Sequence, residues 1–190
     1  MGFEHRTRIV AAVGVLGLCA CVQIGGQKPV QSLALLEDAV TLSAPSGYCI
    51  DLETSEPSKG FAVLAGCGSV IADVSRKNPP GIATVQIGEK GSAIVGDQES
   101  DLVTYLNSES GAKLMGATPD EVWGKDGIVG AHFADGGDFR VVGLQDSEWR
   151  VFVDKGDRLV TIRLRSSYLN PVGVDRGYAI LTSIAQGIEG

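Results

Sequence analysis

The sequence has little histidine and little clustered basic charge. Each shortage argues against certain kinds of binding site or catalytic site in this chain. It holds two histidines in 190 residues, and 16 Lys and Arg stand against 23 Asp and Glu, for a formal net charge of −7. Nucleic acids and anionic headgroups are bound by clustered Lys or Arg. Zinc sites and general bases rely heavily on His. We therefore expect no nucleic-acid partner and no zinc site.

A hydrophobic run long enough to span a membrane is also missing near the N-terminus. The uncharged stretch Ile9–Leu18 has ten residues, whereas a spanning helix needs about 20. Arg6 and Arg8 precede this stretch and the small Ala20 follows it. Basic, apolar and small residues in this order are typical of a cleaved signal peptide. We predict that residues 1–20 are removed on export.

The segment Leu18-Cys19-Ala20-Cys21 resembles the bacterial lipobox. The resemblance implies that a diacylglyceryl group is attached to Cys21, that cleavage follows Ala20, and that the new amino terminus is open to acylation, for example by palmitate. Two or more acyl chains hold a protein stably on a membrane. The lipobox resemblance also implies a lipid-anchored protein of the cell envelope that faces the periplasm. Val22, the residue after the lipidated cysteine, resembles that of lipoproteins directed to the outer membrane. The alternatives are an ordinary secreted protein and an uncleaved anchor.

The sequence contains four cysteines, and export would leave two of them free to pair. The signal peptide takes one and lipid occupies Cys21, so Cys49 and Cys67 remain in an oxidising compartment, where a disulfide is expected. A competing hypothesis makes Cys67, in the loop 66–69, a nucleophile. A catalytic cysteine needs a base, and His132 is the sole histidine of the mature chain.

The mature chain is predicted to hold a tether over residues 21–38, with a short helix or strand as open alternatives for its end, and a single domain over residues 39–190. Short apolar runs between turn residues predict strands in its first half: Val40–Ala44, Gly47–Leu52, Phe61–Ala65 and Ile82–Ile87. A helix is predicted over Glu99–Ser108, with Gly111 as its stop. A short helical turn is predicted to start at Thr118.

The second half of the domain predicts a four-stranded meander. Four extended runs are joined by short polar connectors, which permit only antiparallel hairpins: Ile128–Phe133, Phe139–Leu144, Trp149–Asp154 and Arg158–Arg165. A final helix is predicted with Asn170 as its cap and Pro171 at its first position. The predicted fold class is therefore α+β, an antiparallel sheet with helices packed on it, including a C-terminal helix.

This order of elements resembles the PsbP-like fold. The resemblance rests on Ala44-Pro45-Ser46-Gly47-Tyr48, on a hairpin from 149 to 164 and on the terminal helix through 184. It implies a non-enzymatic domain that binds a partner or supports an assembly. The pair of cysteines at 49 and 67 departs from the pattern, because that fold does not require it.

No metal site or cofactor is predicted from the acidic residues. Two clusters are candidates for calcium ligands: Asp97 with Glu99 and Asp101, and Asp135 with Asp138. Neither follows the twelve-residue calcium loop with its closing bidentate glutamate. We expect the first cluster to begin a helix and the second to form a hairpin turn.

Function stays open between binding and catalysis. The main hypothesis is a lipid-anchored binding or assembly-support protein with an envelope protein as partner. The alternatives are a small periplasmic enzyme that uses Asp, Ser or His132, and a small-ligand-binding lipoprotein. Ser69 lacks the flanking glycines of a hydrolase elbow. Trp123, Trp149 and Tyr168 are expected either to line a ligand groove or to fill the core.

Overall fold

The computed structural model describes residues 28–73, 75–76, 78–136, 142–168 and 170–190. The predicted signal peptide, Cys21 and Asp138 lie outside the described residues. The strands are β1 Ser32–Leu35, β2 Val40–Ser43, β3 Tyr48–Glu56, β4 Phe61–Gly66, β5 Ile82–Ile87, β6 Glu121–Lys125, β7 Ile128–Phe133, β8 Leu144–Lys155, β9 Arg158–Ser167 and β10 Ile188–Glu189. The helices are α1 Cys67–Val70, α2 Glu99–Leu106, α3 Glu109–Met115 and α4 Val174–Gln186.

Two antiparallel sheets and the helices make this an α+β fold. The larger sheet has seven strands in the order β3-β4-β5-β9-β8-β7-β6, and the smaller has the order β1-β2-β10. The sheet is thus larger than the four strands predicted, and the C-terminal helix is present. The β6–β7 hairpin turns through Asp126-Gly127 and the β8–β9 hairpin through Gly156-Asp157, both short turns rich in the residues that tight hairpins favour.

The main core lies between one face of the large sheet and a layer made of α4 and the small sheet. Alternate residues of β9, such as Ile162 and Leu164, point into it. Leu181 and Ile184 of α4 meet them, and all four side chains are fully buried. Burial of each aliphatic side chain contributes about 1.5–3 kcal/mol, so this layer holds α4 against the sheet.

A second, smaller core lies on the opposite face of the large sheet. There α2 contacts β6 and β7, and Val95, Leu106 and Val129 are buried together. The carboxylate of Asp154 accepts hydrogen bonds from three successive backbone N–H groups, of residues 94–96, at 3.1, 2.7 and 2.8 Å. This contact ties the loop before α2 to β8.

The packed fold begins before the predicted domain start at Ala39. β1 pairs with β2, and Leu35 is fully buried in the main core. The segment 21–38, predicted as a tether, therefore includes a strand of the small sheet. β1 has four residues and little alternation of polar and apolar side chains, so its sequence gives only a weak strand signal. Its pairing with β2 is what makes it a strand.

The middle of the chain differs from prediction at two places. Gly111 does not stop a helix; it lies buried inside α3, whose N-cap Ser108 accepts a hydrogen bond from the Gly111 N–H at 3.1 Å. The predicted helical turn at Thr118 is absent; residues 118–120 form an irregular segment that leads into β6. Asp120 already joins the ladder there, since its N–H donates to the carbonyl of His132 at 2.9 Å.

In the last part of the chain the observed strands and helix begin and end at other residues than predicted. Asp146-Ser147-Glu148, predicted as a connector, lies within β8. The run Phe139–Leu144 is not a separate strand in its described part, because residues 142–143 form a turn and Leu144 begins β8. α4 begins at Val174 with Gly173 as its N-cap. Asn170 does not cap it, since Asn170 pairs with Ser167 instead.

Candidate functional site

A cleft between edge strand β6 and the start of α4 is the candidate binding site. Its volume is about 380 Å³, within the usual range of about 300–1,000 Å³ for small-ligand sites. It is lined by Glu121, Trp123, Gly124, Lys125, Val174, Asp175 and Tyr178. A neighbouring cavity of about 270 Å³ shares Lys125 and Tyr178 with it. We call the first of these the β6–α4 cleft.

Trp123 forms one wall of the cleft because β7 has no side chain beneath it. Trp123 lies opposite Gly130 in the β6–β7 ladder. A Cβ atom at Gly130 would meet the indole at 2.1 Å, a separation that atoms cannot adopt. The glycine therefore allows the indole to lie directly on the strand.

Tyr178 forms the second wall, at nearly a right angle to the first. The ring centroids of Trp123 and Tyr178 are 5.4 Å apart and their planes cross at 79°, an edge-to-face arrangement that stabilises aromatic pairs. α4 supplies Tyr178 from the turn that precedes the buried Leu181. We call these two rings the aromatic corner.

Charged side chains surround the aromatic corner. Glu121 and Asp175 line the cleft, and neither forms an ion pair or a side-chain hydrogen bond with another described residue. Lys125 also lines it, but its ammonium lies 3.9 Å from the carboxylate of Asp126. The carboxylates of the cleft are thus left without a cationic partner from the described chain.

Three side-chain polar atoms on or near α4 are buried without a hydrogen-bond partner in the described residues. They are the indole nitrogens of Trp123 and Trp149 and the hydroxyl of Thr182. Because the indole N–H of Trp123 is buried, the surface that Trp123 offers to the cleft is ring carbon. Trp149 lies deeper, against the backbone of Gly177 in α4, and is 1% exposed.

A buried cluster of charges lies on the other face of the sheet. Glu148 is fully buried and accepts hydrogen bonds from Arg163 at 2.7 and 2.9 Å and from Arg165 at 2.7 Å. Arg150 also donates to it. Burial raises the pKa of Glu148, but the hydrogen bonds of Arg163 and the charge of Arg150 outweigh burial and hold that pKa below its ordinary value.

Arg150 connects this cluster to α3. It donates to the carbonyl of Met115, the last residue of α3, at 2.7 Å, and its guanidinium lies 4.6 Å from the centre of the Phe133 ring. Burial lowers the pKa of Arg150, and the nearby Glu148 carboxylate opposes that shift. These contacts connect β8, β9 and the end of α3 through one buried carboxylate.

The structure joins Cys49 and Cys67 in a disulfide, as predicted. β3 and β4 are antiparallel neighbours with Cys49 opposite Ala65, which brings the two sulfurs together. The disulfide removes Cys67 as a nucleophile. Ser69 is hydrogen-bonded to Asn78, whose amide donates to its hydroxyl at 2.8 Å.

His132 is held by an acid and an aromatic ring. Its Nδ1 lies 3.6 Å from Oδ2 of Asp120, and its ring centroid is 4.8 Å from that of Trp149. Within the described residues His132 has no hydrogen bond to a hydroxyl or thiol. An acid and a histidine are thus brought together, whereas the nucleophile of a catalytic set is not.

The remaining candidates from the sequence that the structure describes, acidic residues and Tyr168, do not line the cleft. Glu99 stands in the first turn of α2 and accepts a hydrogen bond from Gly127 at 2.8 Å. Among the described residues no three His, Cys, Asp or Glu side chains are grouped so as to hold a metal ion. Tyr168 is 61% exposed and lies outside the cleft. Of the three aromatic candidates, Trp123 therefore lines the site.

The residues that complete the cleft are not identified by the sequence. Tyr178 belongs to the predicted last helix, and Glu121 to the helical turn predicted to start at Thr118. Neither position carries a local signal for ligand binding, because the cleft arises where β6 and α4 meet. The pairing of Trp123 with a glycine across a hairpin is the one pattern that could have pointed there.

Comparisons with known proteins yield little. No family model matches the chain, and no curated protein matches it. Among solved structures it is similar to a protein from Bacteroides thetaiotaomicron VPI-5482, with 9% sequence identity and a TM-score of 0.47 over 86% of this chain. The match spans about half of that structure, 49% of its chain. In the described part of the chain, no helix combines the length and apolarity that crossing a bilayer requires.

Proposed function

We propose that this chain is a lipid-anchored protein of the bacterial envelope whose α+β domain is a non-catalytic binding module. The observation that carries the binding role is the aromatic corner, two nearly orthogonal, partly exposed rings in a cleft beside unpaired carboxylates. Aromatic rings with a few polar groups in a concave surface are typical of ligand sites. The ligand or partner would be held at the β6–α4 cleft.

The proposed anchor rests on the N-terminal sequence. Basic residues, a short apolar run and the lipobox-like segment ending at Cys21 are arranged as in exported lipoproteins. The disulfide at Cys49 supports an oxidising compartment, because disulfides persist there and are rare in the cytosol. We place the domain in the periplasm, with the outer membrane as the favoured anchor on the basis of Val22.

The likeness to the PsbP-like fold forms part of the same proposal. It rests on β3 starting after Pro45-Ser46-Gly47, on a run of C-terminal hairpins that would form a meander, and on a terminal helix packed on the sheet. If the domain belongs to that fold, a binding or assembly-support role follows by analogy, and analogy of fold does not name a partner.

A small periplasmic enzyme is the second candidate, favoured by the Asp120–His132 pair alone. A general base must reach the proton that it removes, and the structure pairs His132 with no nucleophile in the described residues. If the domain is a binding module, a His132→Ala protein will keep its function in cells that depend on it. Loss of function with unchanged folding and abundance would favour the enzyme instead.

Intact-mass measurement of the mature protein tests the anchor. We expect a mass that begins at Cys21 with added acyl groups, and a further increase after reduction and alkylation that corresponds to the two cysteines of the disulfide. A Cys21→Ser variant should leave the membrane fraction, whereas a Cys19→Ser variant should stay in it. A full-length, unacylated chain in the cytosol would disprove the proposal.

A further inference from the structure

We infer that the β6–α4 cleft binds an organic ammonium group, such as a quaternary ammonium or an alkylammonium side chain. This inference deepens the proposed function and rests on it, since it names the chemistry of the ligand for the same cleft. Three features carry it: the geometry of the aromatic corner, the burial of its N–H donor, and the charge of the residues around it.

The aromatic corner offers ring surface on two sides. The planes of Trp123 and Tyr178 cross at 79° with their centroids 5.4 Å apart, so a group placed in the corner meets both rings. The face of an aromatic ring is electron-rich and attracts cations, most strongly for Trp. Two rings at right angles are a common arrangement around quaternary ammonium ligands.

The indole of Trp123 offers no donor to an anionic or carbonyl ligand. The indole N–H of Trp123 is buried, so it does not face the cleft. Of the other lining side chains, Val174 carries no donor, Tyr178 carries one hydroxyl, and the ammonium of Lys125 lies 3.9 Å from the carboxylate of Asp126. An acceptor-rich ligand would therefore be desolvated against the rings with only these two side chains as donors.

The side chains that line the cleft carry more negative than positive charge, because Glu121 and Asp175 stand against Lys125. Glu121 and Asp175 line it without an ion pair to any described residue. The whole chain has a formal net charge of −7, which adds a long-range attraction for positive ligands and a repulsion for negative ones. A neutral sugar also stacks on aromatic rings, but it gains nothing from this charge.

The experiment follows the two indole N–H signals of the ¹⁵N-labelled mature chain by NMR, with Cys21→Ser to keep it free of lipid. Trp123 lines the cleft and Trp149 is buried in the core, so the second signal is an internal control. Tetramethylammonium chloride is titrated against sodium chloride of equal ionic strength. We expect the Trp123 signal to shift saturably in the range of tens of millimolar, the strength that two partly exposed cation–π contacts provide, while Trp149 stays in place.

Matched variants test the contribution of charge and ring surface. A Glu121→Gln/Asp175→Asn protein should bind tetramethylammonium about three- to fivefold more weakly, because each carboxylate is exposed and partly screened. Glu53→Gln, an exposed carboxylate on β3 far along the sheet, should not change binding. Tyr178→Phe should retain binding and Tyr178→Leu should lose it, provided that Trp149 keeps its chemical shift.

Methyl glucoside and sodium acetate are titrated in parallel. They distinguish failure of the ammonium inference from failure of the cleft as a binding site. If the Trp123 signal responds to the glucoside and not to tetramethylammonium, the cleft remains a binding site and the ammonium inference is wrong. The ammonium inference is also wrong if the double carboxylate variant binds the cation as well as the wild type does. If none of the three probes moves the Trp123 signal, the cleft fails as a ligand site as well.

Discussion

At the scale of single residues, Glu148 shows how a charged side chain becomes part of a core. It is fully buried, yet Arg150, Arg163 and Arg165 supply its hydrogen bonds. A buried ion pair contributes little net stability when complete, but the removal of one partner leaves the others desolvated and uncompensated. The cluster should therefore be sensitive to loss of its single carboxylate.

Glu148→Gln should lower the free energy of unfolding by about 3–5 kcal/mol at pH 7. The folded pKa of Glu148 is below its ordinary value, and an unfolded glutamate titrates near pH 4.3. The stabilisation is therefore fully present above about pH 4.3 and is lost as the pH falls through the lower folded pKa. Urea denaturation at a series of pH values should show this acid-dependent loss in the wild type and a smaller one in the variant.

The exposed Glu53→Gln protein provides the control for this titration, since Glu53 lies at the surface of β3. Its unfolding free energy should match the wild type at every pH to within about 0.5 kcal/mol. Equal pH profiles for the Glu148→Gln protein and the wild type would show that the carboxylate does not stabilise the fold as proposed.

At the scale of elements, a glycine determines how closely α4 approaches the sheet. A Cβ atom at Gly177 would meet the indole of Trp149 at 2.6 Å. Glycine inside a helix costs about 1 kcal/mol relative to alanine, so helix propensity alone would favour replacement. The close contact with β8 explains why a glycine is tolerated here.

Gly177→Ala should therefore destabilise the protein by about 1–3 kcal/mol, as overpacking does, although alanine is the better helix former. Ser183→Ala, at an exposed position of the same helix, should be neutral or slightly stabilising. In a Trp149→Phe background the smaller ring should reduce the cost of Gly177→Ala. Thermal unfolding of these proteins measures the coupling; a stabilising Gly177→Ala would contradict the packing described.

Element types were predictable from the sequence where the local pattern was strong. The alternation over Ile82–Ile87 predicts β5 with the bounds that the structure has, and the last helix is predicted close to its place. The prediction fails at Asp146-Ser147-Glu148, where polar residues indicate a connector although they lie in β8. A polar stretch usually indicates solvent exposure. Here the buried glutamate is stable because Arg150 on the same strand and two arginines on β9 surround it.

At the scale of the whole molecule, the disulfide links β3 to the start of α1, directly after β4, across a separation of 18 residues. Closing a loop of this length stabilises a protein by about 3 kcal/mol in the chain-entropy model. It acts at the edge of the sheet, because β3 is a terminal strand in the order of seven. The β3–β4 hairpin should be the part most affected by its loss.

A Cys49→Ser/Cys67→Ser protein should lose about 3 kcal/mol of unfolding free energy, and reduction of the wild type with dithiothreitol should have a similar effect. Denaturant titrations with and without reductant measure both. The double variant should show no further response to reductant. If reduction leaves the wild type unchanged, the bond does not contribute to stability in the way that loop closure predicts.

The sequence by itself determined the features that depend on neighbours along the chain: the export-like N-terminus, the alternating strands, the amphipathic last helix and a pair of cysteines left to bond with each other. Only the tertiary structure decided the buried Glu148 cluster and the aromatic corner. The cluster depends on the register of β8 against β9, which places Glu148 beside arginines 15 and 17 residues away, and the corner depends on the contact of β6 with α4. Periodicity reports which face of an element is apolar, whereas the identity of the opposing element depends on how the sheet is ordered and where α4 crosses it.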